Sequence, residues 1–328
     1  MPSTLAFVGD IMLGRLVDEQ IPMRSPESFW GSTLPVLRSA DAVFGNLECA
    51  ISDRGVAHGR IPKVFTFRAR PAAVDVLRAG GVRCVSMANN HVLDYGDQAL
   101  TDTLHHLDAA EIAHAGAGQN IESAMQPALL RIGGVKIGFL ALTDNEPDFA
   151  ASRDRPGTFY TPISTDPSTL GMLRGAVERL RENGATINIL SAHWGPNMVD
   201  EPPRPFRKFA RAAVDLGFDV FHGHSAHLFQ GVERHGRGVI LYDTGDFLDD
   251  YAVDPDLRND WSFIFLLDHD EQGLRCLRMV PVRLHFSRVD LAAAQEAAAI
   301  KQRMIARCAP LGTQPALTPA ALELPLRD

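Results

Sequence analysis

The sequence predicts an α/β protein, a sheet covered by helices, and two observations carry that reading. Short apolar runs alternate with stretches whose apolar residues recur at helical spacing along most of the 328 residues. Most of the apolar runs then end in an Asp, Glu, Asn or His. The composition, 45% hydrophobic and 22% charged, is that of a folded globular chain and excludes disorder, collagen and coiled coil. The length permits one large domain or two ordinary ones, each with enough material for a buried core.

In chain order, Leu5–Val8 forms the first strand and runs into Gly9-Asp10, and Ala42–Phe44 forms the next and runs into Gly45-Asn46-Leu47-Glu48. Pro71–Ala79 reads as a helix, opened by its Pro and closed by Gly80. The strand Val82–Met87 leads into Ala88-Asn89-Asn90-His91, and Asp97–Ala110 has helical spacing behind an acidic start. Val135–Leu142 is a strand, and Asn145–Pro167, rich in Pro, Asp and Arg, is a long surface loop. The helix Ser168–Asn183 stops at Gly184, and the strand Thr186–Leu190 feeds Ser191-Ala192-His193-Trp194-Gly195. Helix Arg204–Leu216 stops at Gly217, and Phe218–Phe221 feeds His222-Gly223-His224-Ser225-Ala226-His227. Val239–Tyr242 feeds Asp243-Thr244-Gly245-Asp246, and Ser262–Leu267 is the last strand. Asp290–Cys308 reads as a terminal helix and Ala309–Asp328, with its repeated Pro, as an extended tail on the surface. The expected organisation is one domain over 1–288 with the segment 289–328 packed on it.

In an α/β sheet, ligands bind beyond the carboxyl ends of the strands, where loops from several strands converge. The polar residues after these strands therefore predict one shared site. Asp, Glu, Asn and His without thiolate suit a divalent ion such as Mn, Fe or Zn, one or two per chain, and the chemistry such ions favour is hydrolysis. Cys49, Cys84, Cys276 and Cys308 show no CxxC spacing and read as free thiols. His222, inside the strand pattern, reads as a buried core histidine. Asp243, Asp246, Asp249 and Asp250 either orient metal ligands or form a solvated turn. Lys63 and Arg68, in the loop after the Asn46–Glu48 motif, are candidates for holding a substrate carboxylate or phosphate, and Trp194 is a further candidate contact. The formal charge of -8 disfavours nucleic acid. The N-terminus has no basic, apolar leader, and no run approaches the roughly 18 apolar residues of a membrane span, so the expectation is a cytoplasmic protein without a membrane partner.

Gly9-Asp10-Ile11-Met12, Asn46-Leu47-Glu48, Ala88-Asn89-Asn90-His91 with Asp94-Tyr95-Gly96, His193-Trp194-Gly195 and Gly223-His224-Ser225-Ala226-His227 occur in the order seen in the CapA (poly-γ-glutamate capsule synthesis) family, which this chain resembles from about Leu5 to about Leu248. That family is similar to calcineurin-like metallophosphoesterases. The resemblance implies a mixed β-sandwich flanked by helices and a role in capsule biosynthesis. It implies that Asp10 binds one metal, that Glu48 or Asn46 bridges, that Asn90, His193 and His224 bind a second metal and that His227 returns to the first. It implies that His91 is a general acid, and Asp94 could orient it. The chain departs from the phosphoesterase pattern at Met12, where a histidine is usual, and at Asn46, where an Asp is usual, so one metal position is expected to be weak or empty. The implied activity is hydrolysis, by metal-activated water, of a phosphoester or of an amide in a small anionic, carboxylate-rich, γ-glutamyl-like compound. A non-catalytic poly-γ-glutamate-binding component and a metal-dependent transferase are the rival readings. The sequence leaves the oligomeric state open.

Overall fold

A computed structural model describes residues 3–58 and 60–327; Asp328, the end of the expected tail, lies outside them. Two sheets are stacked between helices. The first runs in the order Leu322–Pro325, Gly273–His285, Trp261–Asp270, Ser3–Ile11, Ala42–Leu47, Val82–Ser86, Ala113–Ala115, with the strands from Ser3 to Ala115 parallel and the others antiparallel. The second runs Val232–His235, Gly238–Leu241, Val220–His224, Ile187–His193, Val135–Thr143, Ala128–Ile132, parallel through its four central strands. This is the α/β fold the sequence predicts, in the two-sheet sandwich that the resemblance implies.

The parallel strands read as continuous apolar runs because both of their faces are covered. Leu5 and Phe7 point between the sheets, where Phe44 stacks on Phe7 at 5.3 Å and meets Phe139 of the other sheet at 5.7 Å. Ala6 and Val8, one pleat away, face the helices Ala73–Ala79 and Gly96–Ala109. On the far side, Pro167–Glu182 and Arg204–Leu216 bury Leu173, Leu180, Phe209 and Ala213 against Leu140, Leu190 and Phe221. Asp166 caps the first of these helices by accepting from the Ser168 and Thr169 amides, and Gly217 ends the second at φ 115°.

Three features differ from the sequence reading. The strand Gly273–His285 was not expected, because Arg275, Arg278 and Arg283 interrupt its apolar pattern and Pro281 sits inside it. The short strands Ala113–Ala115 and Ala128–Ile132 lack a readable period. The terminal helix starts at Ala294, after a strand Arg288–Leu291, and the tail is more than a surface strap. Leu322–Pro325 joins the first sheet, and Ile300, Met304, Cys308, Leu322 and Leu324 are buried in the core between the sheets. Among the described residues, no helix is long and apolar enough to cross a membrane.

Candidate metal centre

The parallel strands of both sheets deliver their carboxyl ends to one place. In the first sheet Asp10 lies in register with Asn46 on one side and Asp246 on the other. In the second, His193 is in register with His224. The two edges are tied together by His222, whose Nε2 lies 3.0 Å from the Val8 carbonyl oxygen. This meeting produces two groups of ligand atoms that share Asp10, one with His193 and His224 and the other with Glu48, His227 and Asp246; within each group the atoms lie within 4.8 Å of one another. Close backbone approach makes this possible. The Asp10 amide donates to the Gly245 carbonyl at 2.9 Å, and a Cβ on Gly9 would stand 1.7 Å from that same oxygen. Ser225 and His227 hold left-handed φ values of 119° and 59°, so the loop that aims His227 is strained.

The electrostatics of the protein alone are unfavourable here. Burial, then Glu48, raises the Asp10 pKa well above the carboxylate range. Burial pushes Asp243 up to about 7 and Asp246 up to about 6. His193 and His224 are driven well below the usual imidazole value, mainly by burial, which leaves them as neutral donors of a lone pair. For His227 burial also acts downward, but Asp246, then Glu48 and Asp10, outweigh it and raise the group. Asp10 Oδ2, Glu48 Oε1, Asp246 Oδ2 and Asn90 Oδ1 are buried without a hydrogen-bond partner, although buried acceptors are nearly always satisfied. A divalent cation supplies what these oxygens lack and offsets the crowded negative charge, so the donor set fits one. Neighbours already orient the ligands. Ser191 Oγ lies 2.9 Å from His224 Nε2, and Asp246 Oδ1 lies 2.8 Å from His227 Nδ1.

Beside this cluster, His91 Nδ1 is 2.6 Å from Asp94 Oδ2, and its Nε2 faces Glu48 Oε1 at 4.0 Å. Asp94 is held by the Phe67 amide at 2.8 Å and by Lys63 Nζ at 3.0 Å. Phe67 stacks on the His91 ring at 3.9 Å, and the Tyr251 hydroxyl donates to Glu48 Oε2 at 3.1 Å. A cleft of about 490 Å³ opens over His91, His227, Phe67 and Tyr251.

The structure thus brings Asp10, Glu48, His193, His224, His227 and Asp246 together, with His91 and Asp94 adjoining. Asn90 lies next to His91 with its carbonyl oxygen accepting from Lys63 Nζ. Asn46 sits at the centre beside Asp10, its amide nitrogen donating to Asp10 Oδ1 at 2.8 Å and its oxygen accepting from Asn89 at 2.9 Å. Other expected residues are placed differently. Asp243 accepts from the Ala226 and Gly245 amides and braces the His227 loop; it is buried, as Asp246 is, which removes the solvated-turn alternative. Lys63 Nζ pairs with Asp94 Oδ1 at 3.0 Å and donates to the Asn90 backbone carbonyl. Arg68 points away, its guanidinium over the Tyr95 ring at 4.2 Å and bonded to the Arg54 and Gly55 carbonyls. Trp194 is core, 4% exposed, with Nε1 on the Tyr242 carbonyl and its ring against Phe206 and Phe221. His222 is the core histidine expected. Sequence reasoning missed Asn89, Phe67 and Tyr251. Asn89 sat inside a recognised motif, while the two aromatics carried no signal that distinguishes them from core residues.

Residues 4–251 match the family model described as bacterial capsule synthesis protein PGA_cap. The chain is 28% identical over 284 residues to the capsule biosynthesis protein CapA of Bacillus anthracis, covering 86% of this chain and 67% of that one. It is 30% identical over 248 residues to the PGA biosynthesis protein CapA of Bacillus subtilis, covering 75% and 63%. It is 30% identical over 334 aligned positions to a probable polyglutamine synthesis accessory protein of Mycobacterium tuberculosis, covering 88% and 87%. The chain therefore spans about two thirds of the length of the Bacillus relatives. Among solved structures, a 5'-nucleotidase precursor from Thermus thermophilus superposes with a TM-score of 0.48 at 14% identity, over 95% of this chain and 59% of that one. A likeness at that level says nothing about the reaction. On the match over 4–251 and the 30% identity to the mycobacterial relative, this chain belongs to the PGA_cap family of bacterial capsule synthesis proteins.

Proposed function

We propose that this protein is a metal-dependent hydrolase acting on a small anionic substrate, a phosphoester or a γ-glutamyl-type amide. The observation that carries the reading is the pair of buried ligand groups sharing Asp10, set beside a His91–Asp94 pair whose free ring nitrogen faces Glu48. Asp10, His193 and His224 would hold one ion, and Asp10, Glu48, His227 and Asp246 a second. Asp246 then makes up for the ligand missing at Met12, whose sulfur instead accepts from the Gly14 amide at 3.1 Å. Such ions activate water and stabilise charge developing on the substrate. The chain's own groups do the rest. Asp94 fixes the His91 ring so that Nε2 faces the reacting region and can deliver a proton to the leaving group. Lys63 and the Phe67 amide keep Asp94 in place, and Phe67 covers one face of the imidazole and sheds water from it. Tyr251 and Asn46 orient Glu48 and Asp10.

The test is metal analysis of untagged protein after resupply of Mn, Fe and Zn, joined to turnover of bis(p-nitrophenyl) phosphate and γ-glutamyl p-nitroanilide. Asp10→Ala should lose bound metal, whereas His91→Ala should retain it and lose about 10²- to 10⁴-fold in turnover of the γ-glutamyl anilide, whose amine must leave protonated, and far less on the p-nitrophenyl ester. Full turnover of the anilide in His91→Ala would remove the acid role, and a chain that binds no metal would remove the hydrolase reading. A second reading has support in the relatives' descriptions as synthesis and accessory proteins: a component that binds a poly-γ-glutamate chain without cleaving it. Capture of γ-glutamyl oligomers that survives chelation would favour it.

A further inference from the structure

The cleft over the candidate centre is rimmed by Arg15, Phe65, Phe67 and Tyr251, and among the described residues lining it Arg15 is the one Lys or Arg. The guanidinium lies 5.3 Å from the Phe65 ring centroid, 5.5 Å from Phe67 and 5.9 Å from Tyr251. Two of those rings also touch the reactive groups. Phe67 stacks on His91, and Tyr251 donates to Glu48 and meets the His227 ring at 5.2 Å. Arg15 is therefore one aromatic ring away from both the acid and a ligand.

Its bonding is unusually incomplete. A guanidinium has five N–H donors, yet among the described residues Arg15 makes no hydrogen bond and has a single ion pair, at 3.3 Å, to Asp250. Its side chain is 31% exposed, and its backbone holds a left-handed φ of 53°, a conformation that side-chain-bearing residues rarely adopt. Phe65 beside it is 58% exposed, an apolar surface left in solvent at the mouth of the cleft. The described residues lining the cleft include no carboxylate; Asp10, Glu48 and Asp246 lie buried beyond the lining histidines His91 and His227, and Lys63 is already paired with Asp94. An anionic substrate entering this cleft finds one guanidinium that, beyond its ion pair to Asp250, still has donors to offer.

We propose that Arg15 is a specificity-determining residue that takes a carboxylate of the substrate remote from the scissile bond, while the aliphatic stem carrying that carboxylate lies along Phe65 and Phe67. This rests on the anionic-substrate reading above and narrows it: the substrate carries a carboxylate one aromatic ring's width from the group that is cleaved. A planar guanidinium pre-positioned by stacked rings matches a carboxylate in two parallel bonds, which a lysine cannot do.

The test uses glutarate, which has two carboxylates on a three-methylene stem and nothing to hydrolyse, with neutral glutaramide and inorganic phosphate as comparators. Each is titrated calorimetrically into metal-loaded full-length wild type, Arg15→Lys and Arg15→Met. Both variants keep a long stem over the aromatic rings, and metal content and melting temperature certify the fold. Glutarate affinity should fall about 10- to 100-fold in Arg15→Met, the range of a lost charge-assisted bond, and less in Arg15→Lys. Glutaramide should bind wild type no better than glutarate binds Arg15→Met. Unchanged glutarate binding in Arg15→Met, or no binding to wild type, would overturn the proposal. An equal loss for phosphate would also overturn it, by showing a phosphate site. Failure of the hydrolase reading is seen separately, as missing metal or turnover, and leaves the Arg15-dependent difference in glutarate affinity readable.

Discussion

At the scale of single residues, the cost of burial is what distinguishes the candidate centre from the rest of the interior. Many buried polar groups elsewhere are paired off, as Glu233 accepts from Tyr242 and Arg211 and Asp102 from Ser52 and Gln98, while a single atom such as Asn188 Oδ1 is not. At the centre, three carboxylate oxygens and an amide oxygen have no donor. His269 is a separate exception, fully buried with neither ring nitrogen partnered among the described residues, and burial lowers its pKa. Unfolded imidazole titrates near 6.5. As pH falls below that value the unfolded chain takes up a proton that the folded chain refuses until its own lower pKa, so stability drops through this window. Urea unfolding at pH 7.5, 6.5 and 5.5 should therefore show a shallower acid loss in His269→Leu than in wild type, by no more than about 1.4 kcal/mol per pH unit. Parallel slopes in the two proteins would mean that the ring is solvated or paired.

At the scale of elements, strand ends and glycines govern the site. Gly9 permits the first strand to run against the Asp243–Asp246 turn, and Gly9→Ala should cost about 3 kcal/mol in thermal or urea unfolding and reduce metal retention, because a backbone carbonyl stands where the methyl group would go. Gly171 is the contrast: it lies in the exposed part of the Pro167–Glu182 helix with open space around it, so Gly171→Ala should stabilise by about 0.5–1 kcal/mol. The strand ends were the most legible feature of the sequence. An apolar run followed closely by an Asp or His beside a Gly reports both the strand and its polar terminus locally, as in Gly9-Asp10, His193-Trp194-Gly195 and Gly223-His224. What could not be read depended on neighbours far along the chain. Lys63 and Arg68 were grouped because they are close in sequence, yet one braces Asp94 and the other stacks on Tyr95. Tyr251 gains its role only because the fold brings it to Glu48. Gly273–His285 was hidden because its arginines break the apolar run, and they pair on opposite faces, Arg278 with Asp268 and Arg283 with Glu296.

At the scale of the whole molecule, the last forty residues are structural. Removing everything after Leu291 strips Leu322–Pro325 from the long strand and uncovers the core contacted by Ile300 and Met304. It also removes Arg307, which packs on the Phe229 ring and donates to its carbonyl, two residues beyond His227. That truncation should abolish a cooperative thermal transition and expose dye-binding apolar surface; a chain that still melts sharply and keeps its metal would show the segment to be dispensable. The junction of the two sheets at Val8 and His222 has a temporal consequence. Asp10 leaves the ribosome early and Asp246 late, and the ligands between them belong to different sheets. The group of Asp10, His193 and His224 is complete in sequence only once residue 224 has been made, the other group only at residue 246, and the first needs both sheets docked. Under the proposed function, capture of an ion would be a late act of folding, open only to chains that have already paired their halves.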